Sequence, residues 1–456
     1  MRQKYDDLPC SAVRLRGDAV CGTLDYDRQM IGIGGASPAP IPGRVRPAMR
    51  VLGKRLIRVF LQEYFFVYPD HGVFDWSRLD AFMDSLEETG CQVMASICLK
   101  PKVLYPRVDP KIFMPNDPAE WQALVRALVR RYSVERPLVT YWGVLNEINI
   151  GEDGGCPHEI KNPDDYFAYY QMTVSAIREA CPGIKVGGPS LAGYDAPYME
   201  RFAALCREHH VPVDFLSYNI YSGSPAVHTD AARKACALAA ALDGQVEVYQ
   251  TELNNWFPDH YVQEVCYSGR YSASLAAILM DLNDTPLSGS FQFDMYDALV
   301  NPDDFEQFYS RVPFMLHHWN EVPHRFGLFD QEGRVRPQYF VYRLLDKMKG
   351  ERLSTVSETP DIRAAACRVQ GGYRLLMTNY NEEASTDRVA EVCLSGIRRG
   401  AYRLRVYRID DERHWEDASL SLLPTEDRPT YALENFSCHV LLPADSVALF
   451  CLEPEA

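Results

Sequence analysis

The feature that narrows the fold most is an alternation running through residues 29 to 349: short runs of β-branched and aromatic residues, each followed by a stretch with helical spacing. The run LIRVFL at 56–61 reads as a strand, and 78–89 places Leu79, Phe82, Met83 and Leu86 on one helical face before Gly90 ends it. Residues 91–99 are strand-like again. Asp117 followed by Pro118 then opens a helix that the pattern carries to Tyr132. Strand signals recur at 141–145, 183–188, 213–221, 246–250 and 288–294. Between them lie helical patterns at 164–180, 198–209, 231–242 and 271–281, and 338–348 closes the series with a helix. With IGIGG at 31–35 as the first strand, about eight strands alternate with helices. Strands joined through helices run parallel, and eight such units favour a closed (β/α)8 barrel of the TIM type over an open sheet.

Past residue 350 the texture changes to short β runs at 364–370, 373–379, 389–394, 402–408 and 439–442, separated by turn signals such as Gly371-Gly372 and Ser395-Gly396. This predicts an accessory C-terminal β-sandwich over 350–456. Residues 1–28 hold two short strand-like runs on either side of Gly17-Asp18, too little for a domain, and they are expected to join that sandwich.

Charge and cysteine usage bound the partners. The chain carries 62 acidic and 47 basic residues for a net charge of −15, which repels nucleic acid and anionic membrane surfaces. No apolar run reaches the ~18 residues a membrane span needs. The first ten residues carry acid and proline where an export signal would have its apolar core. Thirteen cysteines are scattered singly, with no Cys-x-x-Cys, which predicts a reducing compartment and hence a cytoplasmic protein. A homo-oligomer is compatible with all of this.

Two strand-like runs stop at a carboxylate. TYWGVLNEINI at 140–150 ends in Asn146-Glu147 and then GEDGG, and VEVYQTE at 246–252 ends in Glu252. In a barrel of parallel strands those ends form the face where chemistry is placed. A lone Asn-Glu is more plainly an ordinary loop carboxylate, but two acids at two strand ends fit glycoside hydrolysis. That reaction sets one protonated and one ionised carboxyl on either side of a bond.

Other motifs carry less. IGIGGAS at 31–37 has Ser37 where a dinucleotide cradle needs its third glycine, and three prolines follow where a helix should open. GPSLA at 188–192 lacks the last glycine of a nucleophile elbow, so Ser190 reads as a loop residue. His209-His210 and His317-His318 lack ligand spacing, and neither a metal nor another cofactor is expected. The aromatic stretch QEYFFVY at 62–68, which contains Glu63, is balanced between packing and a platform for sugar rings. Trp256 reads as a contact surface in the loop after Glu252. Arg58, inside a strand, needs a carboxylate partner, for which Glu252 is the candidate. Lys100 after the third strand is a candidate for reading an acidic sugar, although a solvated loop explains it more simply, and Asp294 ends the last strand.

Taken together, FDWSRLDAFMD (74–84), YWGVLNE (141–147), KVGGPS (185–190), DFLSYNIY (214–221), QTELN (250–254) and FGLFDQEGRVRPQYF (326–340) resemble the glycoside hydrolases of family 39. That family contains β-xylosidases and α-L-iduronidases. The resemblance spans roughly residues 30 to 345 and implies a retaining mechanism with Glu147 as acid/base and Glu252 as nucleophile. Asn146 would hydrogen-bond the sugar 2-hydroxyl, with Arg58 and Tyr221 holding Glu252 and Asn219 shaping the pocket. The sequence departs from the family's usual pattern at Leu145 and Ile148, which flank the Asn-Glu pair, at Asn219 in place of His, and at Phe60 in place of the His of Arg-x-His. The expected substrate is a glycoside or oligosaccharide, with an exo-acting β-xylosidase as the leading activity. The alternatives are an endo-acting polysaccharide hydrolase and a catalytically silent carbohydrate-binding scaffold.

Overall fold

The computed structural model describes residues 7–242, 245–255, 263–321 and 326–455. Eight parallel strands form a closed barrel: β2 (Gln29–Gly32), β3 (Leu56–Gln62), β4 (Gln92–Cys98), β5 (Val139–Val144), β6 (Lys185–Ala192), β7 (Phe215–Tyr221), β8 (Glu247–Asn254) and β9 (Gly289–Gln292). Closure comes from β2 pairing with β9, where Met30 lies beside Phe291. The strand β1 (Cys10–Leu24) belongs elsewhere.

The N-terminal end of the barrel is filled from within. Met30, Leu56, Met94, Tyr141, Phe215, Tyr249 and Phe291, one residue from each of seven strands, form a buried cluster. The eighth strand, β6, contributes Gly187, where a Cβ would stand 2.6 Å from the Phe215 ring and 2.2 Å from its carbonyl oxygen. With side chains alternating along a strand, this apolar plug leaves the next inward positions, toward the C-terminal end, for polar residues.

Around the barrel, α2 (Ser77–Glu87), α3 (Pro118–Val129), α4 (Pro163–Ala180), α5 (Ala196–Glu208), α6 (Pro225–Ala240) and α7 (Gly269–Asn283) follow successive strands, after a short α1 (Val45–Leu52). Their starts are chemically marked. The Asp117 carboxylate accepts from the amides of Ala119 and Glu120, both at 3.0 Å, and Asn162 and Asp195 cap α4 and α5 in the same way. Helix α6 begins at Pro225, earlier than the periodic pattern implied, because its first turn reverses the usual signal, with an apolar Val227 exposed and a polar His228 buried. Helix α1 is absent from the periodicity reading because Pro47 sits in its first turn.

The C-terminal region is one nine-stranded sheet that includes β1 between β10 (Gly350–Ser357) and β13 (Arg388–Ser395). The two short N-terminal runs expected from the sequence are a single strand with a register break between Leu15 and Val20. Strands β11 (Ile362–Val369), β12 (Gly372–Asn379), β14 (Gly400–Ile409), β17 (Pro424–Ala432), β18 (Asn435–Leu442) and β19 (Ser446–Pro454) complete the sheet, while β15 (Trp415–Glu416) and β16 (Ser421–Leu422) pair separately. Its core holds Val13, Leu375, Val392, Leu404 and Phe450, all almost inaccessible, and among the described residues draws none from a helix. The sheet therefore covers its own apolar face by folding over, as a sandwich does. Alternate residues of β12 and β19 point the other way: Leu376, Val447 and Leu449 belong to the barrel's cluster, against the largely buried α7. No described helix is long and apolar enough to cross a membrane.

Candidate active site

Period two carries the strands from the apolar plug to polar side chains: Leu56 to Arg58 on β3, Met94 to Ser96 on β4, and Phe215 to Ser217, Asn219 and Tyr221 on β7. Strand β8 departs from this rhythm. Tyr218 pairs with Gln250 but Asn219 pairs with Glu252, so β8 carries one extra residue, Thr251, at a bulge. The bulge sets Glu252 beside Asn219. Thr251 is held there by its hydroxyl, which donates to Asn219 Oδ1 at 2.8 Å.

At the end of β5 the chain turns sharply through Leu145 and Glu147, both in the left-handed region at φ 64° and 45°. The turn is held by the Glu147 amide, which donates to Ser190 O at 2.8 Å, and by the Gly151 amide, which donates to Glu147 O at 2.9 Å. Ser190 thus acts through its backbone, and its hydroxyl is shared with Ser217 at 2.8 Å inside the barrel.

Glu147 and Glu252 open into one cavity of about 850 Å³ at the C-terminal mouth. Glu252 Oε1 accepts from Arg58 Nη1 at 3.0 Å, and Oε2 accepts from the Tyr221 hydroxyl at 2.6 Å. Arg58 is 1 % exposed and also donates to Asn146 Oδ1 at 2.7 Å, Thr251 O at 3.1 Å and Ser96 Oγ at 3.3 Å. Asn219 Nδ2 donates to Glu147 Oε1 at 2.9 Å and to Asn146 Oδ1 at 3.2 Å. A continuous relay of Asn219, Asn146 and Arg58 therefore ties one carboxyl to the other.

The two carboxyls differ in kind. Burial, and then the charge of Glu252, push the Glu147 carboxyl well above the usual range, against the opposing pull of the Asn219 amide and the more distant Arg58. Glu252 instead meets a guanidinium and a hydroxyl, each of which donates a hydrogen bond to one of its two oxygens.

Of the residues expected to bind substrate, Asn219 and Tyr221 line the cavity with the two glutamates, whereas Arg58 and Asn146 stand one layer behind. Asn146 is thus a link in the relay, its Oδ1 already shared by Arg58 and Asn219. Glu63, Lys100 and Asp294 are outside the cavity lining. Glu63 accepts from the Lys100 amide at 3.1 Å, while Lys100 Nζ donates to the carbonyls of Asp109 and Pro157, both at 2.7 Å. Lys100 is buried, not in a solvated loop, because its ammonium pins two loops together. Asp294 is buried behind Phe293 and pressed against Gly34. The aromatic stretch after β3 is packing: Tyr64 and Phe65 are buried against Phe305 and Phe82. Trp256 lies outside the described residues.

Part of the lining escapes sequence reasoning. Ile150 and Gly154 come from the loop after β5, Tyr194 from the loop after β6, and Val227 from α6. Arg311, Phe314, Met315, His318 and Trp319 come from a segment between β9 and α10 (Pro337–Asp346) that has no strand-helix period. Its only signal is the aromatic run FMLHHW at 314–319.

A closed parallel barrel with two carboxyls in different surroundings at its C-terminal mouth, around a cavity wide enough for a sugar, is the arrangement of the barrel glycoside hydrolases. The chain belongs to glycosyl hydrolases family 39, whose model matches residues 52–418. It is 26 % identical over 369 residues to a beta-xylosidase of Caldicellulosiruptor saccharolyticus, covering 74 % of this chain and 70 % of that one. The fold is shared with a GH39 enzyme from Xanthomonas axonopodis pv. citri at a TM-score of 0.77 and 20 % identity, over 100 % of both chains. A monomeric beta-xylosidase from Caulobacter crescentus superposes with a TM-score of 0.75 and 20 % identity, covering 98 % of this chain and 100 % of that one.

Proposed function

We propose that this glycoside hydrolase is a retaining, exo-acting β-xylosidase-like enzyme. The observation that carries the reading is the unequal environment of two glutamates in one cavity. Glu252 is gripped by Arg58 and Tyr221, while Glu147 is buried in the same site and, among the described residues, accepts from the Asn219 amide alone. Glu252 attacks the anomeric carbon as protonated Glu147 gives its proton to the departing oxygen, and the C–O bond breaks. A covalent glycosyl ester on Glu252 and a free alcohol result. With Glu252 neutralised as an ester, Glu147 is left ionised and takes a proton from water, whose oxygen attacks the same carbon and releases the sugar with its original configuration. The beta-xylosidase of Caldicellulosiruptor saccharolyticus supports xylose as the first sugar to try.

A panel of aryl glycosides, run on the natural chain and on Glu252→Ala, tests the reading. The xyloside is expected to turn over, Glu252→Ala to lose about 10⁴-fold or more in kcat, and NMR of the first product to show the retained anomer. Glu147→Ala is expected to recover rate when azide is added, giving the β-glycosyl azide. No turnover of any glycoside would sink the assignment, an inverted first product would sink the two-step mechanism, and internal cleavage of xylan would move the enzyme to endo action.

A further inference from the structure

We infer that the leaving-group side of the cavity is built for an apolar, flat aglycone, the alcohol part of an aryl or similar hydrophobic glycoside, in preference to a second sugar. This rests on Glu147 being the proton donor, because a leaving oxygen protonated by Glu147 brings its substituent against the wall around that carboxyl. Gly154 lies directly on it: a Cβ there would stand 2.1 Å from Glu147 Oε2 and 2.9 Å from Ile150 Cδ1. The first side chain beyond the carboxyl is thus Ile150, which is 40 % exposed and faces the cavity.

The wall continues through Ala192 at the end of β6, Tyr194 in the loop after it, and Val227 and Ala231 on α6, with Val227 48 % exposed. Single exposed apolar side chains are ordinary on protein surfaces, but these converge on one concave site. The charged residues on this side are engaged with each other: Arg311 with Asp153, and Lys234 with Asp230 at 2.7 Å. A sugar in the same place would present hydroxyls around its rim, and each would lose water without a ready partner in an aliphatic wall. A benzenoid or other hydrocarbon aglycone loses no such bonds and covers Ile150 and Val227. Tyr194, in a T-shaped contact with Tyr218 at 5.7 Å between centroids, adds an aromatic ring to this wall.

The test compares kcat/KM for three glycosides of the sugar that the aryl panel identifies: the fluoride, the benzyl glycoside and the matching disaccharide. The fluoride is too small to reach the wall, so its turnover reports the catalytic glutamates alone. The benzyl glycoside is expected to exceed the disaccharide by about tenfold or more, although benzyl alcohol is no better a leaving group than a sugar hydroxyl. In Val227→Asn and Ile150→Asn, both at exposed positions, the benzyl-to-disaccharide ratio is expected to fall about tenfold. Fluoride turnover with the disaccharide preferred, or a ratio unmoved by both variants, would overturn the aglycone inference and leave the mechanism standing. Absence of fluoride turnover would instead overturn the mechanism on which it rests.

Discussion

At the scale of single residues, the site depends on how closely one carboxyl is crowded. Burial and the charge of Glu252 raise the Glu147 pKa, so its protonated form persists above the pH at which an exposed carboxyl would ionise. The kcat/KM of the natural chain is therefore expected to fall on its alkaline limb as Glu147 loses its proton. In Glu252→Gln, which deletes the neighbouring charge, NMR titration of Glu147 should show a lower pKa; an unchanged value would remove Glu252 as a cause. Gly154 is the second pressure point. Gly154→Ala would drive a methyl into Glu147 Oε2, and a displacement on the order of 1 Å costs roughly 10²-fold in kcat. The sequence exposes Glu147, Glu252 and Arg58 because strand ends and a charged residue inside a strand are local signals. It hides the layering of Asn146 behind Asn219, which follows from the left-handed turn at Leu145 and Glu147 that no residue type there announces.

At the scale of elements, the helices were legible where one face is buried and one is wet, and the barrel strands, buried on both faces, as short β-branched and aromatic runs. Such patterns failed where a segment is defined by its neighbours. The bulge in β8 is a register mismatch with β7, invisible in either strand alone, yet it turns Glu252 toward the cavity. The segment carrying Arg311 to Trp319 has no amphipathic repeat because it lies over the barrel mouth and buries residues irregularly. Strand β6 shows the opposite dependence, with Gly187 left bare to admit the Phe215 ring. Gly187→Ala is expected to lower stability by about 1–3 kcal/mol through overpacking against a backbone that cannot yield. Urea titration checks this, and a loss below ~0.5 kcal/mol would mean that the barrel end accommodates the methyl.

At the scale of the whole molecule, two dependences concern stability away from the site. Burial pushes the Glu63 carboxyl from the usual 4.5 up to about 8, with the Lys100 amide opposing it. The folded protein thus holds this proton more tightly than the unfolded chain. The associated stability is complete below about pH 4.5 and is lost as the pH climbs to about 8, with a ceiling of ~5 kcal/mol. Glu63→Gln should match the natural chain at pH 4.5 and exceed it in unfolding free energy at pH 8; parallel curves would refute the assignment. The second dependence is β1, which lies inside the C-terminal sheet and buries Val13 and Leu15 in its core. Removing residues 1–28 should leave β10 and β13 without the strand that joins them. The expected result is loss of a single cooperative thermal transition by calorimetry, and a retained one would show that the sheet reseals.

That placement also sets an order of assembly. Val13 finds its neighbour only when Ser357 has been made, so at ribosomal speed the strand waits roughly tens of seconds while the whole barrel emerges. The barrel can fold during that interval as an insert between the two halves of the sheet, leaving the sandwich to zip shut last, around an enzyme already formed.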